Sequence, residues 1–209
     1  MTFDRFFYGL VRGFFRIVFT VYNRFSIKWM EPLACEDHII VACNHCSNLD
    51  PLVVGVAFPR RLRYFAKEEL FRPFLLGPII RTLGAVPVSR VDNASAASAL
   101  KGFFKLLAEG SDVLIFPEGS RSPDGTLQPL EGGVGLIAAH SRAPVLPVFI
   151  KGTYEAMPPG AALFKPRKIT VTFGKLLTFD PEVYKGKGAR EKIMTELTES
   201  LKALESAAS

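Results

Sequence analysis

The sequence predicts an α/β protein with a mixed, largely parallel sheet flanked by helices. Short β-rich apolar runs alternate with segments of helical periodicity along most of the 209 residues. With 48% hydrophobic and 22% charged residues, the chain can bury a core and is not disordered. No internal repeat or low-complexity tract interrupts it. We therefore expect an N-terminal membrane-attaching helical segment over residues 1–30 and one α/β domain over residues 31–209.

The first element is a predicted helix over residues 3–24. Its apolar residues, six of them phenylalanine, follow a helical period, while Arg5, Arg12 and Arg16 are spaced to form a stripe on the opposite side. A wide aromatic face opposite a narrow basic one is typical of a helix lying in the lipid interface. An ordinary core-facing helix remains an alternative, and a signal peptide is disfavoured by arginines inside the apolar region.

The following elements are predicted from local patterns. Buried strands are expected at residues 38–44, 62–66, 85–88, 112–116, 145–151 and 168–173. Asp50 followed by Pro51 is a favourable helix start. Pro73 and Pro78 limit any helix in the apolar stretch between strands two and three, and Gly110 ends the helix before strand four. Helices are expected from residue 50 and at 92–109, 132–140 and 189–204, with loops at 117–125 and 152–166.

Composition restricts the setting. The net charge of +6 and a pI near 9.3 imply an acidic partner, such as anionic lipid, a phosphorylated substrate or nucleic acid. Three cysteines and no cleavable signal favour a reducing compartment without disulfides. No stretch reaches the roughly 18 uncharged apolar residues of a spanning helix, so any membrane contact is expected to be peripheral or monotopic.

A polar cluster follows the first predicted strand, in the segment Asn44-His45-Cys46-Ser47-Asn48-Leu49-Asp50. In open α/β sheets this edge is where ligands bind. Across such a turn, the Asp50 carboxylate can reach one imidazole nitrogen of His45, fix its tautomer and stabilise the imidazolium. The alternatives are that Asp50 is only a helix N-cap and that His45 is a core histidine.

A second cluster, FPEGSRS over residues 116–122, follows another strand. Its Arg121 offers a planar fork for phosphate or carboxylate, and Glu118 can accept hydrogen bonds from a hydroxyl or orient Arg121. Lys67 and Arg90 stand at the ends of two further strands. Together these cations predict a rim suited to a phosphorylated substrate, although each alone is compatible with solvated surface.

Several other functions are disfavoured. The segment Gly133-x-Gly135-x-x-Ala138 matches a dinucleotide fingerprint but follows no strand. There is no Gly-x-Ser-x-Gly elbow of an α/β-hydrolase. Residues 43–46 lack the ligand spacing of a zinc site, and Cys46 directly follows the histidine, a poor arrangement for a Cys–His dyad. Aromatic residues cluster on the terminal helix rather than among lysines, which argues against nucleic acid as a partner.

These motifs resemble the 1-acylglycerol-3-phosphate acyltransferase family. The family's His-x4-Asp element is met by NHCSNLD, its second block by GAVPVSR and its third by FPEGSRS. Its fourth block is met by APVLPVFIKGTYEAMP, and AKEEL adds a further match. The blocks appear in the family's order through residues 38–160, and the basic aromatic helix resembles the family's membrane-attaching N-terminus.

The resemblance implies a role for each matching residue. The general base and its partner would be His45 and Asp50. Contacts to the substrate phosphate would come from Lys67, Arg90 and Arg121. The acceptor site would be shaped by Glu118 and Gly119. The sequence does not identify the oxyanion donors of such a reaction, and backbone amides near Gly119 are one suggestion.

The implied reaction is acyl transfer from acyl-CoA or acyl carrier protein to the sn-2 hydroxyl of lysophosphatidic acid, giving phosphatidic acid at the cytoplasmic face of a membrane. The resemblance implies no metal and no cofactor beyond this acyl co-substrate. Ser120 stands where the family commonly has threonine, which keeps the hydroxyl. Glu131 stands where basic residues are frequent, so an acceptor with a headgroup or glycerol 3-phosphate stays an alternative, as does a catalytically silent membrane binder.

Overall fold

A computed structural model describes residues 3–35, 37–74, 76–88, 95–161, 163–186 and 188–208. Its seven strands form one sheet in the order β1-β7-β6-β2-β5-β3-β4. The strands are β1 Ser26–Trp29, β2 Ile40–Cys43, β3 Leu62–Lys67, β4 Ala85–Val88, β5 Asp112–Ile115, β6 Val145–Lys151 and β7 Thr170–Phe173. The pairing of β6 with β7 is antiparallel, and the other pairings of described strands are parallel. The predicted mixed, largely parallel sheet flanked by helices is confirmed.

The helices lie on both faces of this sheet. They are α1 Phe3–Asn23, α2 Asp50–Ala57, α3 Leu76–Thr82, α4 Ser95–Ala108, α5 Gly133–Ser141, α6 Thr153–Ala156, α7 Pro181–Lys185 and α8 Ala189–Ala208, with a 3₁₀ turn at Glu68–Phe71. The predicted helices over 3–24, 132–140 and 189–204 are therefore confirmed to within a few residues. The predicted loop over 152–166 contains the single turn of α6.

Strand β1 was not predicted. It lies before the predicted boundary at residue 30, yet it pairs with β7 through Ile27 beside Val171, so the sheet takes residues from both sides of that boundary. Its four residues include a lysine and are too few to show a period. Helix α7 was also missed, because its five residues are too few to show a helical period. Its start does carry a signal, since the Asp180 side chain accepts from the backbone N–H of Glu182 and Pro181 follows it.

The core is divided by the sheet. In the central strand β2, Val41 and Cys43 face α1 and α2, whereas Ile40 and Ala42 face α4, α5 and α8. This alternation follows from the period of two along a strand. All four side chains are buried, as expected for the middle of a parallel sheet covered on both faces.

Helix α1 packs one face on the protein and exposes the other. Phe19 is 1% exposed and belongs to the core, and α1 contacts both α2 and α3. The outer face carries large exposed apolar side chains that recur every three or four residues: Phe6, Leu10, Phe14, Ile17 and Val21. In the part of the chain that the structure describes, no helix has both the length and the apolar character to cross a bilayer.

The predicted arginine stripe of α1 needs correction. Arg5 and Arg16 are exposed, but Arg12 turns toward the protein. Its Nε and Nη2 donate to the carbonyls of Val56 and Phe58, at 3.2 and 2.7 Å. These carbonyls lie at the C-terminal end of α2, where the last C=O groups of a helix have no N–H partner within the helix. Arg12 therefore caps α2 instead of forming a basic surface with the other two arginines.

Candidate active site

His45 and Asp50 form a hydrogen-bonded pair at the carboxyl end of β2. The Nδ1 atom of His45 lies 2.8 Å from Oδ2 of Asp50, and the same Oδ2 accepts the backbone N–H groups of Cys46 and Ser47, both at 2.7 Å. Since this oxygen already acts as an acceptor, Nδ1 carries the hydrogen and Nε2 is left with its lone pair. The arrangement gives the imidazole one defined tautomer.

Asp50 is not the N-cap of α2, contrary to the simpler alternative. The cap position is occupied by Leu49, and Asp50 is the first helical residue, with Pro51 in the first turn. The Asp50 carboxylate is 0% exposed and folds back over the preceding turn. Its Oδ1 has no hydrogen-bond partner among the described residues. A buried carboxylate held this way is fixed in position, and its charge interacts strongly with the neighbouring imidazole.

The start of the motif extends the sheet. The Asn44 side chain donates to the carbonyl of Ile150 at 3.0 Å and accepts the N–H of Ile150 at 2.7 Å. This side-chain pairing continues the β2–β6 ladder one residue beyond Cys43. It sets where the backbone leaves the sheet, and therefore where His45 stands.

Glu118 joins the two motif loops. One carboxylate oxygen accepts the N–H of His45 at 2.6 Å, and the other accepts the N–H of Gln128 at 2.9 Å. Burial raises the pKa of Glu118, and the hydrogen bonds from Gln128 and His45 oppose that shift. The carbonyl of His45 in turn accepts the N–H of Ser122 at 2.7 Å. Both the backbone N–H and the backbone carbonyl of His45 are thus hydrogen-bonded to the loop after β5.

The imidazole of His45 is also positioned by packing. Its ring stacks on Phe116, with centroids 4.0 Å apart and planes inclined by 20°. The side chain is 18% exposed, so one edge still reaches solvent. Phe116 follows β5, and the register that places Ala42 beside Ile115 brings the two strand ends together.

A cavity of about 690 Å³ opens beside this pair. Its polar wall includes His45, Lys67, Gly119, Arg121 and Glu131, so three predicted cationic or basic groups share one space. Its apolar wall comes from β3 to β5 and helices α4 and α5, with side chains that include Phe65, Val88, Leu100, Phe103, Ile115, Val134 and Ile137. The combined surface suits a molecule with an anionic head and an apolar tail.

Arg121 is oriented by a residue that the sequence did not single out. Its Nη1 donates to Oδ1 of Asn48 at 3.0 Å, across from the His45 loop. Asn48 lies inside the first motif, but nothing in its spacing indicated this contact. The third predicted cation, Arg90, falls in residues 89–94, outside the described ranges, so its role stays a prediction.

Gly119 occupies a backbone conformation that requires glycine. Its φ is +69°, and a Cβ at this position would lie 2.4 to 2.6 Å from the carboxylate of Glu131. The N–H of Gly119 donates to the carbonyl of Phe116 at 3.1 Å. This amide is therefore already engaged, which weakens the suggestion that it serves as an oxyanion donor.

The neighbouring cysteines are not nucleophiles. Burial raises the pKa of Cys43 well above its ordinary value and raises that of Cys46 to about 12, with the Asp50 charge adding to both. Both therefore remain thiols at neutral pH, whereas the thiolate is the reactive form. Within the described ranges, no group of three or more His, Cys, Asp and Glu side chains is placed to hold a metal ion.

The glycines that imitate a dinucleotide fingerprint have a packing role. A Cβ on Gly135 would meet Cγ of Met194 at 2.7 Å and the carbonyl of Arg190 at 3.0 Å. Gly135 therefore allows α5 to approach α8 closely. Gly133 begins α5 after a loop rather than after a strand, as a phosphate-binding turn would require.

Comparison with known proteins identifies the family of the chain. Residues 24–151 match the protein family described as Acyltransferase. The 1-acyl-sn-glycerol-3-phosphate acyltransferase of Bacillus subtilis (strain 168) is 32% identical over 187 residues, which cover 88% of this chain and 87% of that protein. The chloroplastic 1-acyl-sn-glycerol-3-phosphate acyltransferase BAT2 of Brassica napus is 33% identical over 65% of this chain and 40% of its own length.

The fold has a solved counterpart. The crystal structure of the 1-acyl-sn-glycerophosphate (LPA) acyltransferase PlsC from Thermotoga maritima superimposes with a TM-score of 0.79 and 26% sequence identity, over 99% of this chain and 81% of that one. The family match covers more than half of the sequence, and the Bacillus relative aligns along most of it. The chain belongs to the acyltransferase family and is an acyl-transferring enzyme.

Proposed function

We propose that this acyltransferase moves a fatty acyl chain from an acyl thioester to the sn-2 hydroxyl of 1-acyl-sn-glycerol 3-phosphate, forming phosphatidic acid for phospholipid biosynthesis. The names of the Bacillus and Brassica relatives support this acceptor. The observation that carries the proposal is the His45–Asp50 pair, which borders a cavity shared with Lys67 and Arg121. The donor is acyl-CoA or acyl carrier protein, and no further cofactor is proposed.

In the proposed reaction, His45 acts as general base. Its Nε2 takes the proton of the sn-2 hydroxyl while that oxygen attacks the thioester carbonyl. The tetrahedral intermediate collapses with cleavage of the carbon–sulfur bond, and the leaving thiolate receives the proton from the imidazolium. Asp50 stabilises the imidazolium between these two transfers. No acyl-enzyme is needed, which is compatible with the two protonated cysteines beside the site.

The cations would hold the acceptor phosphate. Lys67 and Arg121 line the same cavity as His45, and the fork of Arg121 can bind two phosphate oxygens. Arg90 is proposed to join them, on the resemblance alone. Holding the phosphate fixes the distance between the hydroxyl and the base, which is a large part of the catalytic advantage in a bimolecular reaction.

The apolar wall would hold an acyl chain. Phe65, Leu100 and Phe103 bring β3 and α4 to one side of the cavity, and Ile137 brings α5 to the other. A chain seated there is removed from water, which favours binding by about 0.8 kcal/mol for each buried methylene group.

The exposed outer face of α1 would attach the enzyme to a phospholipid surface. Phe6, Leu10, Phe14, Ile17 and Val21 form an unpaired apolar stripe along this helix. Such a helix lies in the plane of the interface with its apolar side among the acyl chains. Peripheral or monotopic attachment at the cytoplasmic face is therefore proposed, and both lipid substrates would enter from the bilayer.

Acyl transfer in detergent micelles tests the proposal. Radiolabelled palmitoyl-CoA or palmitoyl carrier protein is offered with lysophosphatidate, lysophosphatidylethanolamine or glycerol 3-phosphate, for the wild type, His45→Ala and a control, His140→Ala. His140 is an exposed histidine on α5 outside the cavity. We expect label in phosphatidic acid with the wild type and the control, and almost none with His45→Ala. Normal turnover by His45→Ala would remove this residue from the mechanism.

One observation favours a second acceptor. Glu131 adds a carboxylate to the wall of the same cavity, next to Gly119. A carboxylate there repels a phosphate dianion but attracts an ammonium group. Preferential transfer to lysophosphatidylethanolamine would keep the proton-transfer mechanism and change the acceptor. Absence of transfer with either donor would overturn the proposal and leave a silent membrane binder.

A further inference from the structure

Two loops outside α1 carry the most exposed large apolar side chains of the described residues. Phe74, which follows the 3₁₀ turn, is 90% exposed, and Leu163, which follows α6, is 82% exposed. Each is more exposed than any apolar side chain on the outer face of α1. Single exposed apolar residues are common, but these two belong to segments that border α1.

Both loops are anchored beside α1. Phe164 packs edge-on against Phe19 and Tyr22, and the Tyr22 hydroxyl donates to its carbonyl at 3.4 Å. This places Leu163 beside the C-terminal end of the helix. On the other side, α3 packs against α1, and Phe74 lies two residues before α3. The two loops therefore lie next to α1 at two separate places.

The same loops border the candidate active site. Lys67 lines the cavity and is directly followed by the 3₁₀ turn that leads to Phe74. Pro159 also lines the cavity and lies four residues before Leu163. Both exposed side chains therefore stand on chain segments that begin at the cavity rim.

The charge around these segments suits an anionic surface. Residues 3–24, 67–81 and 158–168 together contain ten lysines and arginines and three acids, Asp4, Glu68 and Glu69. Asp4 is paired with Arg61 at 2.7 Å, and Arg12 is engaged with α2. Arg72 and Lys165 are exposed and each lies two residues from one of the two apolar side chains. Basic residues beside apolar ones are the combination that binds interfaces rich in anionic lipid.

We infer that Phe74 and Leu163 insert into an anionic phospholipid bilayer together with the outer face of α1, so that the cavity opens at the lipid surface between the two loops. The inference rests on the proposed function in one respect, since it assumes that the acceptor is drawn from a bilayer. Three separated contacts would fix the tilt of the enzyme against the bilayer more firmly than the apolar face of α1 alone.

Vesicle binding of the full chain tests this surface without any measurement of turnover. Wild type, Phe74→Ser and Leu163→Ser are partitioned by flotation into vesicles of phosphatidylglycerol and phosphatidylcholine, and into phosphatidylcholine alone. Leu136→Ser is the matched control, because Leu136 is 42% exposed on α5 and belongs to neither loop. We expect each loop variant to lose about tenfold in partition, the control to be unchanged and binding to weaken without the anionic lipid.

A fluorescence readout locates the inserted side chain. Trp29 is the single tryptophan, so Phe74→Trp in a Trp29→Phe background reports on the loop alone. We expect a blue shift and quenching by brominated phospholipid on adding vesicles.

Wild-type partition of both loop variants, or an unquenched Trp at position 74, would overturn the inference. So would a dimer in sedimentation that Phe74→Ser dissociates, because a second copy would then cover the surface. If the two loop variants lose partition but the wild type acylates no lysophosphatidate, only the proposed function is refuted.

Discussion

Replacing Asp50 by asparagine removes a charge while keeping the shape of the site. The amide oxygen can still accept from Nδ1 of His45 and from the two backbone N–H groups, and the amide NH₂ takes the place of Oδ1, which has no partner among the described residues. The imidazolium formed during the reaction loses its counter-ion. With charge centres about 4 Å apart and an effective dielectric constant of about 20, the lost attraction is about 4 kcal/mol. The expected fall in kcat is about a thousandfold.

Steady-state acyl transfer to lysophosphatidate measures this effect, with kcat and the acceptor KM determined separately. The KM should change little, because Asp50 is fully buried and does not line the cavity. Asp37→Asn, which neutralises an exposed carboxylate, is the control and should keep wild-type rates. A loss below about tenfold in Asp50→Asn, in a protein with an unchanged circular dichroism spectrum, would refute the view that this carboxylate stabilises a charged His45.

Three further predictions concern stability and reactivity. Burial raises the pKa of Glu118 above its ordinary 4.5, so ionisation of this carboxyl group opposes folding. In urea unfolding, the wild type should therefore lose stability relative to Glu118→Gln as the pH rises from about 4.5. This loss should end once the pH has passed the pKa of Glu118 in the folded protein. A difference that does not vary with pH would contradict this. Arg12→Ala should lower the free energy of unfolding by about 1–3 kcal/mol, since the carbonyls of Val56 and Phe58 lose their side-chain donor. Arg16→Ala should change it by less than about 0.5 kcal/mol. Cys46→Ala should keep kcat within about threefold of the wild type. N-ethylmaleimide should not inactivate the wild type at pH 7, because a thiol with a pKa of about 12 is unreactive at that pH. Rapid inactivation through Cys46 would show that the thiol is activated.

Much of the fold followed from local patterns in the sequence. The β6 strand was predicted with its observed bounds, because seven consecutive residues of mostly apolar character are bounded by a proline and a glycine. Strand β1 was missed because its place in the sheet depends on pairing with β7, far along the chain, and not on its own four residues. The N-cap interpretation of Asp50 failed for a similar reason, since the direction of its side chain is decided by three donors in the preceding turn.

The motif residues of the site could be predicted from the sequence, but most of the contacts between them could not. The adjacency of the two motif loops follows from β2 and β5 being neighbours in a parallel sheet, which alternation of strands and helices suggests without fixing the strand order. The partners of Glu118 could not be predicted, because both donors are backbone N–H groups, which every residue except proline carries. The residues of the apolar wall belong to five separate elements and share no motif.

The packing of α1 has a practical consequence for work with this enzyme. Removing the first two dozen residues is the obvious way to test the proposed lipid attachment, but Arg12 caps the helix that begins with Asp50, and Phe19 belongs to the core. A truncated chain would lose Phe19 from the core cluster that also contains Val53 and Val54, and the carbonyls of Val56 and Phe58 would lose the Arg12 donors. Loss of activity after truncation would therefore say little about lipid attachment. Polar substitutions on the exposed outer face, such as Leu10→Ser or Ile17→Ser, would test the proposed attachment without removing any core residue.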